Sequence, residues 1–177
     1  MAKRVKRLKF KTRYVGYVVA TIDGCISLAK AARPMWASKE DWAFLQKELA
    51  RADAVIAGRN TYNAARARLQ KRTTFVFSRH IGKPQKRDGV TFVNPVRANL
   101  DKLFAPYRRI AVLGGASVYR HMLERDRLDE FFVTIEPLVF GRGLPMFSGG
   151  TKTTRFRLLS VRKLNHNGTL LIHFRRP

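Results

Sequence analysis

Twice in this chain an apolar, β-branched run stops at glycine and a helix-forming segment follows at once. Ala54–Ala57 runs into Gly58 ahead of the helical stretch Asn60–Ala67, and Ile110–Leu113 runs into Gly114-Gly115 ahead of a helix over 116–124. A strand that hands over to a helix in this way is the repeating unit of a parallel sheet, whose neighbouring strands need a crossover between them. The rest of the chain fits the same unit. Tyr14–Thr21, Thr73–Phe77, Val90–Val93 and Phe131–Phe140 are apolar runs of strand length. Ser38 is a suitable N-cap for a helix over 39–51. Glu40 and Asp41 sit in its first turn, and Trp42, Leu45 and Leu49 recur at helical spacing. Leu100–Ala105 is a short helix. Residues 24–37 form a long loop. The last two runs, Phe156–Leu164 and Thr169–Phe174, alternate around Asn165-His166-Asn167-Gly168, as a β-hairpin does. The expectation is a three-layer α/β fold. It has a central, mostly parallel sheet of about eight strands, a C-terminal antiparallel hairpin, and helices on both faces.

With 177 residues, of which 45% are apolar, the chain can bury one core. The expected organisation is a basic extension, 1–13, and one domain, 14–177. The single cysteine, Cys25, excludes an internal disulfide and a cysteine-based zinc cluster, and the four scattered histidines offer no metal-ligand pair. No metal is expected. No apolar run approaches the ~20 residues of a membrane span, and no apolar segment follows the basic N-terminus as in a secretory signal. A cytoplasmic protein is the default. The net charge of +24 predicts attraction to anions without saying which.

In a parallel sheet, ligands bind beyond the carboxyl ends of the strands, and three such places carry chemistry. Val112-Leu113-Gly114-Gly115-Ala116-Ser117-Val118-Tyr119 places two glycines between strand and helix. That arrangement either lets an anion approach free helix N–H groups or simply makes a tight turn. Gly58-Arg59-Asn60-Thr61 repeats the pattern, and Ser78-Arg79 closes the next strand with a hydroxyl and a guanidinium. Together these suit a phosphorylated cofactor, including one with a 2′-phosphate. Asp41, among Trp42, Phe44 and Leu45, is either a carboxylate beside aromatic walls that holds a cationic heterocycle or relays a proton, or an acid answering the helix dipole.

Read together, the order and spacing of these segments resemble the dihydrofolate reductase superfamily from about Tyr14 to the C-terminus. Thr21-Ile22-Asp23-Gly24-Cys25-Ile26 resembles the start of the family's mobile active-site loop, and Met35-Trp36 the Pro-Trp that closes it. Asp41-Trp42-Ala43-Phe44-Leu45 resembles the acid-led helix of the folate pocket. Gly58-Arg59-Asn60-Thr61 and Gly114-Gly115…Tyr119 resemble the two cofactor motifs, and Arg72 and Thr134 fall at family positions. Met35 departs from the usual proline. Two segments, Ala52–Gly58 and Pro137–Gly143, look more like the reductase half of the riboflavin-pathway deaminase-reductase.

The resemblance implies NADPH-dependent reduction of 7,8-dihydrofolate. Asp41, Thr134 and Trp36 would be the catalytic residues. The substrate would meet Val18, Val19, Ile26, Asp41, Phe44, Leu45, Arg72 and Thr134, with Arg72 on the glutamate carboxylate. The cofactor would meet Val19, Ile26, Gly58, Arg59, Asn60, Thr61, Ser78, Arg79, Leu113, Gly114, Gly115, Ala116, Ser117, Val118 and Tyr119. The 24–37 loop would be a lid. Antifolates of the methotrexate or trimethoprim type would be expected inhibitors, and the protein a monomer or homodimer. The alternatives are the riboflavin-branch reductase of a ribosylaminouracil phosphate, and a nucleic-acid-binding protein on the same fold. In the first reading nucleic acid would meet only the basic tail, non-specifically. Residues 54–87 hold nine Lys/Arg and no acid, so part of the charge would serve polyanionic ligands.

Overall fold

A computed structural model describes residues 10–28, 34–147, 149 and 153–177. The elements run β1 (Arg13–Thr21), β2 (Cys25–Ser27), α1 (Lys39–Ala50), β3 (Ala54–Gly58), α2 (Arg59–Leu69), β4 (Thr74–Phe77), β5 (Gln85–Arg87), β6 (Val90–Val93), α3 (Leu100–Phe104), β7 (Arg109–Val112), α4 (Ala116–Glu124), β8 (Glu130–Glu136), β9 (Leu144–Pro145), β10 (Arg157–Lys163) and β11 (Leu170–Arg175). Nine strands form one sheet in the order β10-β11-β8-β1-β7-β3-β4-β6-β5. The six from β8 to β6 are parallel, while β11, β10 and the far edge strand β5 are antiparallel to their neighbours.

The strands are apolar on both faces because both faces are covered. Alternate residues feed two cores. Tyr14, Ile56, Phe75, Ile110 and Val112 pack with Leu100 and Phe104 of α3 and with Val118 and Met122 of α4. Val15, Tyr17, Val55, Val76 and Ala111 pack with Leu49 of α1 and with Tyr62 and Leu69 of α2. So α1 and α2 lie on one face, and α3 and α4 on the other, which makes the three layers expected from the sequence. The residues at the sheet centre (Val15, Ile56, Val76, Ile110 and Val112) are fully buried. Truncating any of the isoleucines to alanine should cost about 2–5 kcal/mol.

Four local expectations are corrected. The main sheet has nine strands, because Gln85–Arg87 pairs with β6 across the Asp88-Gly89 turn. That strand is polar and mostly exposed, so it carries no apolar period. It exists because both turn residues have positive φ, 49° and 77°, as a two-residue hairpin requires. The strand expected over Phe131–Phe140 stops at Glu136. Pro137 lacks an N–H, and the chain beyond it turns to accept Ile22 N–H on the Leu138 carbonyl at 2.8 Å. The loop expected over 24–37 begins as β2, paired to β9; its part 29–33, like residues 1–9 of the extension, lies outside the described residues. Finally, Trp42 does not join the buried face of α1. The buried residues there are Asp41, Glu48 and Leu49, because this part of the helix stands beside an open cleft.

Candidate active site

The carboxyl ends of β8, β1, β7, β3 and β4 stand side by side and open into one cavity of about 1290 Å³. Its wall changes character along the row. At the β8 end it holds Thr134 and, from α1, Asp41, Phe44 and Leu45, with Val18 and Val19 of β1 beside them. At the β3–β4 end it holds Arg59, Thr61, Ser78 and Arg79. Val19 and Thr134 are paired residues of β1 and β8.

Asp41 is 8% exposed and Thr134 1%. Burial pushes the Asp41 carboxyl up to about 6; a hydrogen bond from Thr134 opposes this, and the charge of Glu136 adds to it. The helix that carries Asp41 is capped by Ser38, whose hydroxyl accepts Asp41 N–H at 3.3 Å. The outcome is an acid that still holds its proton in part near neutrality, set among apolar walls. Glu40, its neighbour, instead accepts a hydrogen bond from Asn165 at 3.2 Å and does not line the cavity.

In the middle of the row, the two glycine turns are joined directly. Gly58 N–H donates to the Gly114 carbonyl at 2.6 Å, and the Gly114–Gly115 peptide is cis. Gly114 has φ +79°, and a Cβ there would stand 2.5 Å from the Tyr119 ring. Position 114 thus requires glycine for two reasons, and the five-residue spacing to Tyr119 is a packing relation. The Tyr119 hydroxyl donates to the Tyr17 carbonyl at 2.5 Å, and burial keeps it protonated. Gly114 itself is not on the cavity wall; Leu113, Gly115, Ala116, Ser117, Val118 and Tyr119 are. The helices that start here, α2 and α4, have glycine N-caps and no side-chain cap. Their first N–H groups are therefore available to an anion. Beside them stand Arg59, Thr61, Ser78 and Arg79, donors suited to phosphate. The residues present therefore fit a dinucleotide with an additional phosphate.

The segment that follows β1 is tied to the chain after β8. Met146 N–H donates to the Gly24 carbonyl at 2.9 Å. The Asp23 carboxylate is held below the usual carboxylate range first by the Thr21 hydroxyl and then by Phe140 N–H and Gly141 N–H, which donate to it. Ile26 lines the cavity near the Gly-Gly turn, where a Cβ on Gly115 would lie 3.9 Å from it.

Of the expected site residues, Val18, Val19, Ile26, Asp41, Phe44, Leu45, Gly58, Arg59, Asn60, Thr61, Arg72, Ser78, Arg79, Thr134 and those of the second glycine turn other than Gly114 line the cavity. Trp36 does not. Its ring packs edge-on against Phe140 at 5.2 Å, and the exposed Met35 lines the cavity instead. Arg72 is half-buried, and its Nη1 donates to the Leu49 carbonyl at 2.8 Å. That bond fixes the guanidinium against the C-terminal turn of α1.

Sequence reasoning missed two groups. Trp42 and Arg68 meet across the mouth of the cavity, the guanidinium carbon 4.4 Å from the ring centroid. No local pattern links α1 to α2, so this pair was invisible. His121 and Arg125 line the far end. They follow Ser117 at four and eight residues, a helical period that would have marked them. Burial, with Arg125 nearby, lowers His121 to about 4, so its ring is neutral near pH 7.

Among the described residues, no helix is long and apolar enough to cross a membrane. The family model described as dihydrofolate reductase matches residues 18–136. The chain is 32% identical over 120 residues to Uncharacterized protein YwjB of Bacillus subtilis, covering 63% of this chain and 67% of that protein. Among solved structures, it superposes on RibD of Acinetobacter baumannii with a TM-score of 0.74 and 17% identity, covering 94% of this chain and 58% of that one. For a pyrimidine reductase-like protein of Corynebacterium diphtheriae the score is 0.73 at 17% identity, covering 94% and 92%. For a putative riboflavin biosynthesis protein of Shewanella sp. PV-4 it is 0.70 at 18%, covering 94% and 99%.

Proposed function

The chain belongs to the dihydrofolate reductase family, and from that premise we propose that it is an NADPH-dependent reductase of a carbon–nitrogen double bond in a pterin- or pyrimidine-class substrate. The observation that supports this reading is one buried acid, Asp41, on the wall of the same cavity as Arg59, Thr61, Ser78 and Arg79. NADPH supplies the hydride when bound. This chain's residues do the rest. Arg59 and Arg79 hold the 2′-phosphate; Thr61, Ser78 and the free N–H groups of α2 and α4 hold the remaining phosphates. Val19 and Ile26 align the nicotinamide end. Phe44, Leu45 and Ile26 exclude water from the reacting ring. Asp41, oriented by Thr134, gives a proton to the substrate nitrogen while the adjacent carbon gains the hydride, so C=N becomes CH–NH. A carboxyl poised near pH 6 suits a general acid working near neutrality.

Two substrates fit that chemistry. The ribosylaminopyrimidine phosphate of riboflavin synthesis is favoured by the likeness to RibD and to the pyrimidine reductase-like protein, together with the Pro137–Gly143 segment. Its phosphate would meet the cationic rim, Arg68 and Arg72. Dihydrofolate is favoured by the Asp41–Thr134 pair, which matches the family's grip on a pterin edge, and by Arg72, anchored where a glutamate carboxylate would lie. Steady-state NADPH oxidation with each substrate separately decides. Turnover of the ribosylaminopyrimidine phosphate at least tenfold above dihydrofolate in kcat/KM assigns the first, the reverse ratio the second. Failure of both, with NADPH bound, overturns the reading.

A further inference from the structure

Glu136 is 4% exposed and lies two residues beyond Thr134 on the same face of β8. It is absent from the cavity wall, and the proposed reaction makes no use of it. Each of its carboxylate oxygens is engaged. Oε1 accepts Ser38 N–H at 2.7 Å, and Oε2 accepts the Thr169 hydroxyl at 2.6 Å. Ser38 is the N-cap whose own hydroxyl receives Asp41 N–H. Thr169, fully buried in the hairpin turn, accepts Asn165 Nδ2–H at 2.9 Å, and the same amide donates to Glu40 of α1. A closed ring of hydrogen bonds thus ties the end of β8 and the C-terminal hairpin to the first turn of the helix that carries Asp41.

The geometry points to Glu136 as a positioning residue: its carboxylate, held by Thr169, fixes the N-cap of α1 and so sets both the place and the proton affinity of the Asp41 carboxyl. A merely structural acid could be replaced by its amide without electrical consequence. Here the charge matters as well as the shape, because the carboxylate bonded to the cap three residues before Asp41 favours the protonated form of that acid. The other groups around Asp41 are Thr134, which favours the charged form, and Tyr119 of α4, whose hydroxyl stays protonated. On α1 itself, Lys39 is exposed and Glu40 is turned to Asn165. The inference rests on Asp41 being the proton-holding group of the proposed reaction, but it can be tested without any substrate.

The test is the titration of the Asp41 carboxyl carbon by NMR in ligand-free protein, with seven aspartates to resolve and Asp41→Asn to assign the signal. Gln at position 136 can still accept from Ser38 and donate to Thr169. In Glu136→Gln the Asp41 midpoint should therefore fall measurably below that of the parent while the fold is kept. Thr169→Val keeps the charge and removes the brace. In that variant the Ser38 amide should exchange at least tenfold faster, with the Asp41 midpoint moving less than in Glu136→Gln. An unchanged Asp41 midpoint in Glu136→Gln overturns the inference. If that variant fails to fold, an unchanged Ser38 exchange rate in Thr169→Val overturns it. None of these readings depends on which substrate is turned over, so they stand apart from the success or failure of the proposed reaction.

Discussion

At the N-terminus of α1, the Ser38 hydroxyl receives a backbone N–H, Glu40 and Asp41 occupy the first turn, and Glu136 braces the cap from behind. Across the cleft, α2 and α4 start at Gly58 and Gly115 with no side-chain cap and no acid in the first turn. The short helix α3, away from the cleft, is capped by Asn99 in the ordinary manner. A helix normally loses stability if its first N–H groups lack partners, typically about 1 kcal/mol when a capping side chain is replaced by alanine. Two helices left open toward the same cavity, beside Arg59 and Arg79, are what the proposed binding of a phosphorylated cofactor needs. The closed helix presents a carboxyl with a controlled proton. In the proposed function, one side of the cleft binds charge and the other holds a proton in place.

The largest effect expected from breaking this contrast comes at the closed side. Asp41→Asn should lower kcat/KM for the preferred substrate by roughly 10²–10⁴-fold near pH 7, the usual contribution of a general acid. NADPH affinity, measured by fluorescence titration, should stay within a factor of about two, because Asp41 lies at the opposite end of the row. Turnover close to the parent rate would remove Asp41 from the chemistry.

The open side gives the next effect. Among the described residues, a Cβ on Gly115 would meet Ile26 and Thr61, each at 3.9 Å, and φ there is −73°. Gly115→Asp should therefore fold normally and cap α4 from its own side chain. The cost falls on the ligand: the new carboxylate takes an amide and repels phosphate. NADPH Kd should rise by roughly 10–100-fold with no loss of Tm. If Kd is unchanged, the α4 amides do not bind the cofactor. Arg79→Ala removes one phosphate contact and should raise Kd by about tenfold, less at high salt than at low.

The proton on Asp41 also carries a stability cost with a definite sign. Its native pKa of about 6 lies above the ordinary 3.8, so the folded state binds the proton more tightly than the unfolded state does. Stability should fall as pH rises from about 4 to about 6 and then level off, by at most about 3 kcal/mol. Asp41→Asn removes this term. The variant should be more stable than the parent at pH 8, with the difference vanishing near pH 4. Chemical denaturation at the two pH values checks it, and a constant difference would mean that the acid is not poised.

What the sequence disclosed depended on whether a feature is local. The strand–glycine–helix junctions at Gly58 and Gly114 were legible because backbone sterics write them into neighbouring residues, and the Gly114-to-Tyr119 spacing is one such contact. Asp41 stood out for a similar reason, as an acid opening an amphipathic helix. Strand β5 was not legible, since Gln85–Arg87 becomes a strand only because β6 offers an edge to it. The placement of Trp36 was not legible either, since its neighbour in sequence, Met35, lines the cavity while the indole packs on Phe140, more than a hundred residues away. The ring through Glu136, Ser38, Glu40 and the hairpin residues Asn165 and Thr169 joins three distant segments through hydrogen bonds, and no periodicity reports such a contact.

The smallest expected effect tests the cap itself. Ser38→Ala deletes the hydroxyl that receives Asp41 N–H but leaves Ser38's own amide, and so the bond to Glu136, in place. If Glu136 shares the work of fixing this turn, the loss should sit at the low end of the range for a cap, about 0.5–1 kcal/mol by chemical denaturation. Asn99→Ala at α3, whose first turn is met from outside by the exposed Arg127–Asp101 pair and not by a buried carboxylate on the cap, should then cost at least as much, even though that helix is shorter and its cap exposed. A loss at Ser38 well above that at Asn99 would mean that the hydroxyl alone fixes the turn, and that the extra bonds from β8 and the hairpin hold the side chain of Glu136 more than the helix it touches.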